Sequence, residues 1–277
     1  MHCTLLLSYG ILRCMLIRIL AVGIFAVALA PSVIPKAELK QQTLAAFQSY
    51  TQTLESQVQR QQSFAATFLS MNSANPAEAD LSLRSGEIVV RKADASPLHV
   101  PGGLIHHWTG AVLVPGVTVP QVVVFMQNYN DLARYYQPEV MESKLLAHDG
   151  DNFRVELKLR KHEVLTVTFN TISNVHYGKL DAMHQWSASH MDSISENSDV
   201  DHGLLWRMNT YWRFVQTNGG VILECEVVTL TRDIPSGLGW VVSPFISSVP
   251  RESLEFTLEK TRQGMVATRQ QLHNKER

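Results

Sequence analysis

Cysteine is scarce in this chain, and its distribution excludes a disulfide framework. Cys3 and Cys14 fall within the first thirty residues, and Cys225 is the one cysteine in the rest of the sequence. Once an N-terminal segment is removed, Cys225 has no partner for an intrachain disulfide. It alternates with Leu223 and Val227, a pattern typical of an inert buried thiol on a strand.

Acidic residues are missing from positions 1–30, which sets the N-terminus apart from the rest of the sequence. The stretch from Leu16 to Ala30 is apolar except for Arg18 and ends in several small residues. A basic start, an apolar run and small residues are typical of a secretory signal. We therefore expect an exported protein that works in the periplasm or outside the cell.

Two features of this N-terminal segment stay open. We expect cleavage after Ala28, because Pro31 disfavours a site one step later, and Met15 would give a more typical signal start than Met1. The alternative is an uncleaved membrane anchor, since residues 19–34 are nearly long enough to hold a bilayer. In both cases the body of the protein lies outside the cytoplasm.

Blocks of basic residues and the common catalytic motifs are also missing. With a net charge of −1 and no run of Lys and Arg, the chain is a poor partner for nucleic acid. It contains no HExxH, CxxC or Gly-x-Ser-x-Gly pattern, and Gly237 and Gly239 precede no Lys-Ser or Lys-Thr pair of a phosphate loop. We expect no metal, no cofactor and no nucleic-acid partner.

The eleven histidines leave one enzymatic alternative open. His106 and His107 are neighbours, so on a strand they point to opposite faces and cannot share a site. His184 and His190 do share a face with Trp186. A cyclase- or hydrolase-like enzyme that uses His184 or His190 is therefore the alternative to a binding protein, although an enzyme is the less favoured of the two.

Apolar residues make up 45% of the chain and charged residues 18%, which is enough for a sizeable core. We divide the chain into a signal or anchor (1–30), a helical extension with a linker (31–80) and one ligand-binding domain (81–277). The extension is helical over 37–71 by its apolar spacing, but the apolar stripe is too thin to form a core element alone. It either crosses the domain or spaces it from a membrane.

From Gly86 onward the apolar pattern has mostly the period of strands. Strands are predicted at 87–92, 104–114, 139–147, 153–159, 165–169, 181–194, 204–216 and 221–231. A helix is predicted over 119–135, because Thr118 is a good N-cap and Pro120 suits the first turn. A second helix begins near Arg251. Strands joined by tight turns give an antiparallel sheet, so the fold class is α+β.

This order of elements resembles the helix-grip fold of the START-like (SRPBCC) superfamily. The residues that carry the resemblance are VLVPG at 112–116, YYQP at 135–138, LWRMNTYWRF at 205–214, LTRDIP at 230–235 and PRESL at 250–254. The superfamily includes lipid-transfer domains, coenzyme Q-binding proteins and polyketide cyclases. The resemblance implies a curved antiparallel sheet wrapped around a long C-terminal helix, with a cavity between them and an N-terminal helical extension.

The resemblance also implies a ligand site for a hydrophobic small molecule that is lipid-, quinone- or polyketide-like. Residues 206, 208, 212 and 214 share one strand face, and apolar residues of the last helix should face them. The candidate ligand-binding residues are Phe169, Trp186, Trp206, Met208, Trp212, Phe214, Trp240, Phe245, Leu254 and Leu258. The alternatives are that these side chains only fill the core, or that the chain is a structural module without a ligand.

The apolar, proline-rich stretch from Arg232 to Val249 completes the candidate site. Because a large exposed apolar patch is rare on a soluble monomer, this stretch must bury against something. It forms either ordinary packing on the sheet edge or a lid, with Trp240 and Phe245 touching the ligand or a membrane surface. On the lid hypothesis, Trp240→Ala slows ligand exchange and leaves thermal stability nearly unchanged.

Two structural predictions are specific enough to check directly. Asn218-Gly219 is predicted to form a two-residue hairpin turn with both residues at positive φ, which places Arg213 opposite Glu224 as an exposed pair worth well under ~1 kcal/mol. The last helix should cover the sheet through Leu254, Leu258, Thr261 and Met265, facing Trp206, Trp212 or Phe169. If the space beneath it is empty, Leu258→Ala should cost less than the ~2–5 kcal/mol of a filled core.

Overall fold

The computed structural model describes residues 36–73, 81–93, 96–162, 166–197, 202–234, 237 and 249–275. The signal or anchor segment, most of the linker, and Trp240 and Phe245 of the proposed lid lie outside the described residues. The described part belongs to one compact unit that spans residues 34–277.

The described strands form one antiparallel sheet of nine strands. Its order is β1-β3-β9-β8-β7-β6-β5-β4, and β2 pairs with β3 off this path. From β4 to β9 each strand pairs with the next one along the chain, as the sequence predicts. The strands are β1 (Val89–Lys92), β2 (Leu98–Val100), β3 (Gly103–Pro115), β4 (Val140–Asp149), β5 (Asn152–His162), β6 (Thr166–Lys179), β7 (His184–Glu196), β8 (Arg207–Thr217) and β9 (Gly220–Arg232).

Several α-helices lie beside the sheet, and the last of them lies on its inner face. They include α1 (Gln41–Gln62), α2 (Val119–Gln127), α3 (Leu132–Tyr135) and α4 (Val249–Lys275), and residues 81–84 are also helical. Helix α4 packs on β3 and β9 and buries Leu254, Leu258, Thr261 and Met265, as predicted. Gly110 of β3 permits this approach, because a Cβ there would lie 2.7 Å from Leu258 Cδ1. A curved antiparallel sheet that grips a C-terminal helix confirms the α+β helix-grip prediction.

The helix predicted over 119–135 is shorter than expected. Its start is correct, since the backbone N–H of Thr118 donates to Gln121 Oε1 at 2.9 Å. The helix ends at Gln127, and a 3-10 turn at Tyr129–Asp131 separates α2 from α3. Asn128 and Asp131 cause the break, because their side chains hydrogen-bond each other at 2.8 Å and favour a turn over a helix interior.

The hairpin between β8 and β9 has the predicted register. Thr217 faces Gly220, Arg213 faces Glu224 and Trp212 faces Cys225. The conformational reason was wrong in part, because Gly219 lies outside the left-handed region and Gly220 has a φ of 151°. A side chain at Gly220 would place its Cβ 2.0 Å from the Val114 carbonyl oxygen, so glycine is required there.

Helix α1 covers the outer face of the sheet, which is the face opposite α4. Phe47, Leu54 and Val58 of α1 pack with Tyr211 and Val228 in one apolar cluster. The apolar stripe of α1 is too thin to form a core alone, as predicted, but it packs against the outer face of the sheet, which supplies the rest of this core. Helix α1 crosses the domain, the first of the two alternatives.

Beneath α1 lies a buried charge cluster, defined here as Arg213, Glu224, Glu226 and His107. Arg213 donates to Glu224 Oε1 and to Glu226 Oε2, both at 2.8 Å, and His107 Nε2 lies 2.8 Å from Glu226 Oε1. The side chains of Arg213 and Glu224 are both 0% exposed. The prediction of an exposed Arg213–Glu224 pair was therefore wrong, because α1 and the turn after it bury the outer face.

Candidate functional site

A cavity of about 300 Å³ lies between the inner face of the sheet and α4. Strands β5 to β9 form its floor, α4 forms its roof, and the turn between α2 and α3 closes one end. Its described lining consists of Met126, Tyr129, Leu132, Tyr136, Glu139, Val140, Val155, Leu157, Leu159, Lys161, Phe169, Thr171, Ser173, Val175, Tyr177, Ser187, Ser189, Leu204, Leu205, Met208, Thr210, Trp212, Cys225, Val227, Thr229, Thr231, Val249, Pro250, Ser253, Leu254, Phe256 and Thr257.

The floor of the cavity alternates apolar side chains with hydroxyls. Ser189 of β7 is directly opposite Thr210 of β8, and Met208 is opposite Thr229 of β9. Thr171 of β6 already donates to the Leu157 carbonyl oxygen at 3.2 Å. The floor is therefore an apolar surface with scattered neutral hydrogen-bonding groups, which suits an apolar molecule that carries a few oxygens.

One end of the cavity holds a pair of phenols. The hydroxyls of Tyr129 and Tyr177 lie 2.8 Å apart, and the break between α2 and α3 brings Tyr129 into this position. Burial raises the pKa of Tyr129 to about 12 and the pKa of Tyr177 well above its ordinary value. Both phenols are therefore neutral at physiological pH, and they can donate or accept hydrogen bonds but supply no charge.

The other end of the cavity lies beside a second cavity of about 380 Å³, whose wall includes several charged side chains. The two spaces share Glu139, Lys161, Val249 and Ser253 in their walls. Lys161 forms an ion pair with Glu139. The cavity therefore runs from a neutral phenol end to an end with paired charges.

Of the ten candidate ligand-binding residues, four line the cavity: Phe169, Met208, Trp212 and Leu254. Phe214 and Leu258 lie in the same core beyond the cavity, and both are 0% exposed. The cavity lining thus includes Trp212 but excludes Phe214 two residues further along β8. Whether the four lining residues contact a ligand stays a prediction.

The two remaining described candidates lie on the outer face. Trp206 was predicted to share a face with Met208, but it precedes the first residue of β8 and packs against α1, so strand alternation does not reach it. Trp186 is opposite Arg213 and covers Gly178, where a Cβ would lie 2.3 Å from its ring. Neither tryptophan lines the cavity.

The histidines of the enzymatic alternative also lie on the outer face. His184 Nδ1 contacts Asp181 Oδ1 at 2.9 Å, and His190 Nε2 contacts Glu55 Oε1 of α1 at 2.8 Å. They do share a face with Trp186, as predicted, but that face is turned away from the cavity. The idea that either histidine acts inside the cavity was therefore wrong.

Residue-by-residue interpretation of the sequence missed the phenol pair and the hydroxyls of the floor. The signal was present in β6, where Thr171, Ser173, Val175 and Tyr177 line the cavity at alternate positions. Within the described ranges, no group of three His, Cys, Asp or Glu side chains is placed to hold a metal ion. None of the described helices combines the length and the apolar character needed to cross a membrane.

The strand order, the gripped helix and the cavity between them define a START-like helix-grip fold. Several solved structures are similar to the chain in this fold. A STAR-related lipid transfer protein from Xanthomonas axonopodis is 19% identical, covers 64% of this chain and 92% of its own, and has a TM-score of 0.45. The Zhui aromatase/cyclase from a Streptomyces species is 12% identical, covers 58% of this chain and 93% of its own, and has a TM-score of 0.44.

Human STARD10 is 8% identical, covers 71% of this chain and 82% of its own, and has a TM-score of 0.43. No protein-family model and no curated protein sequence matches the chain. Because the superpositions are partial, the fold class follows from the topology of this chain and not from these scores.

Proposed function

We propose that this protein binds and carries a hydrophobic small molecule, lipid-, quinone- or polyketide-like, in the cavity between the sheet and α4. The observation that carries the proposal is the cavity itself, which has about 300 Å³ and a mostly apolar wall. This volume is at the lower end of the range of small-molecule sites. An empty space of this size loses the packing contacts that a filled core would make, so a bound ligand explains the cavity better than a purely structural role of these side chains does.

The described cavity wall favours binding over catalysis. Its charged residues are Glu139 and Lys161, which form an ion pair with each other at one end. The phenols at the other end are held neutral by burial. A general acid or base needs a pKa close to the working pH, and burial moves the pKa values of both phenols further from it.

The location outside the cytoplasm rests on the N-terminal sequence alone. A run of apolar residues without acids, followed by small residues, is the basis for export. Cell fractionation, combined with mass measurement of the mature N-terminus, tests this part of the proposal. A mature chain that begins at residue 29 supports cleavage after Ala28, whereas an intact cytoplasmic chain would refute export.

The binding proposal is tested by filling the cavity from its floor. Ser189→Phe places a large side chain in the lined space, and Ser195→Phe puts the same change at an exposed position of the same strand. Native mass spectrometry of the purified full-length chain should show apolar molecules retained by the wild type and by Ser195→Phe. Ser189→Phe should retain none.

Two results would count against the proposal. A wild-type chain that retains no apolar molecule, and takes up none from added lipid extract, would favour a structural module. Equal occupancy in Ser189→Phe and wild type would place the bound molecule somewhere other than the cavity. Thermal unfolding of both variants serves as the control for correct folding.

A further inference from the structure

One buried hydroxyl in the cavity wall has no use within the protein. Thr229 of β9 is 6% exposed and lines the cavity, and within the described part of the chain its Oγ1 has no hydrogen-bond partner. Most buried polar groups are paired, because an unpaired one forfeits its hydrogen bonds to water. The Thr229 hydroxyl therefore needs an explanation beyond folding.

The neighbours of Thr229 do not supply a partner. Met208 lies opposite Thr229 on β8, and His106 lies opposite it on β3. His106 Nε2 is already engaged by Thr231 Oγ1 at 3.2 Å, and Thr231 also donates to the Arg232 carbonyl oxygen. The Thr229 Oγ1 atom itself is buried from the cavity as well as from solvent, so a rotation about χ1, which no side-chain hydrogen bond opposes, is needed to exchange the methyl and hydroxyl groups at the cavity wall.

The position of Thr229 along the cavity constrains the occupant. The phenols of Tyr129 and Tyr177 lie at one end and the Glu139–Lys161 pair at the other, whereas Thr229 belongs to the floor between them. A hydroxyl in the middle of the cavity floor can hydrogen-bond to a polar atom in the middle of an otherwise apolar ligand. A plain hydrocarbon chain with one terminal headgroup offers no such atom.

We propose that the ligand is an apolar molecule with a carbonyl or hydroxyl oxygen along its body, and that this oxygen hydrogen-bonds to Thr229. The inference rests on the proposed function and narrows it to apolar molecules that carry an oxygen away from their ends. Thr171 makes the contrasting case, because it lines the same floor but its hydroxyl already donates to a backbone carbonyl.

The test uses two fluorescent probes that differ in one oxygen, 2-acetylanthracene and 2-ethylanthracene. Their dissociation constants are measured by fluorescence titration for the wild-type full-length chain and for Thr229→Val, Thr229→Ser and Thr171→Val. The quantity compared is the preference, the ratio of the ethyl to the acetyl dissociation constant, in which the shared apolar burial cancels. Thr229→Val should lower the preference about three- to tenfold, as expected for one lost hydrogen bond.

The matched variants decide whether the hydroxyl is responsible. Thr229→Ser keeps the hydroxyl and Thr171→Val removes a bonded one, so both should leave the preference within about twofold of wild type. Without probe, Thr229→Val should melt no lower than wild type, because it breaks no existing bond. A clearly lower melting temperature would show that the hydroxyl is already satisfied within the protein and would overturn the inference.

The remaining outcomes separate this inference from the proposed function. If the wild type binds neither probe, the inference about Thr229 fails, whereas the proposed function fails only if the chain also retains no apolar molecule in native mass spectrometry. If it binds both probes but the preference is unchanged in Thr229→Val, the cavity binds apolar molecules and the role of Thr229 is refuted. An equal loss in Thr171→Val or Thr229→Ser would assign the preference to general polarity or packing, which also overturns it.

Discussion

Replacing Arg213 by methionine should destabilise the protein far more than replacing an exposed arginine. The Arg213 side chain is 0% exposed and donates to Glu224, to Glu226 and, at 3.2 Å, to Gln61 of α1. Without the guanidinium, two carboxylates remain buried and lose their shared cation. Breaking a buried pair from one side costs about 3–5 kcal/mol, and we expect a loss of that size for Arg213→Met at pH 7.

The loss should depend on pH in a defined direction. In the wild type, burial raises the pKa of Glu224, whereas hydrogen bonds from His107 and Arg213 outweigh burial and lower the pKa of Glu226. Removing Arg213 takes away the cation from both, so both carboxyl pKa values rise in the folded variant. A carboxyl whose folded pKa exceeds its unfolded pKa gains stability from protonation, so the deficit of Arg213→Met should shrink as the pH falls from 7 to about 5.

Urea unfolding at several pH values measures both effects. Arg154→Met is the matched control, because Arg154 pairs with Asp192 across an exposed surface with side chains 40% and 46% exposed. That variant should lose less than about 1 kcal/mol at every pH. A deficit below 1 kcal/mol for Arg213→Met, or one that grows as the pH falls, would refute the assignment of a tightly packed ion cluster beneath α1.

Three further outcomes follow from the fold. Burial lowers the pKa of His106 to about 4 from an ordinary 6.5, so the unfolded chain is protonated at a higher pH than the folded chain. The free energy of unfolding should therefore fall by about 3 kcal/mol between pH 6.5 and 4. His106→Gln should flatten this part of the plot of unfolding free energy against pH. Leu258→Ala should cost about 2–5 kcal/mol in denaturant unfolding, because Leu258 fills the core, whereas Met208→Ala at the cavity wall should cost less. A fragment of residues 81–277 lacks α1 and should melt well below residues 36–277 in thermal unfolding, since the outer face of its sheet is uncovered.

Most strand positions and the β8–β9 register could be predicted from the sequence because they depend on local signals, but β2 was not predicted and β6 continues to Lys179 instead of ending at residue 169. A strand period of two and an Asn-Gly turn fix which residues face each other, so Arg213 and Glu224 were paired correctly. Their burial could not be predicted in this way. It depends on α1, whose sequence separation from β8 exceeds 150 residues in the contact between Gln61 and Arg213.

The cavity was harder to predict than the sheet. An apolar strand face looks the same whether a helix fills it or leaves a space, so Trp212 and Phe214 gave identical signals although only Trp212 lines the cavity. Trp206 was assigned to the wrong face because alternation holds only within a strand, and β8 begins at Arg207. Volume is set by how all the elements meet, and no short stretch of sequence encodes it.

Strand β8 has a consequence for how this protein can change over time. Tyr211 and Arg213 take part in holding the N-terminal helix, whereas Met208, Thr210 and Trp212 face the cavity. The two sets alternate and never share a side of the sheet. Substitutions at the cavity positions of β8 can therefore change what the cavity accepts without disturbing the contacts that hold α1, because the two sets of side chains lie on opposite faces of the sheet.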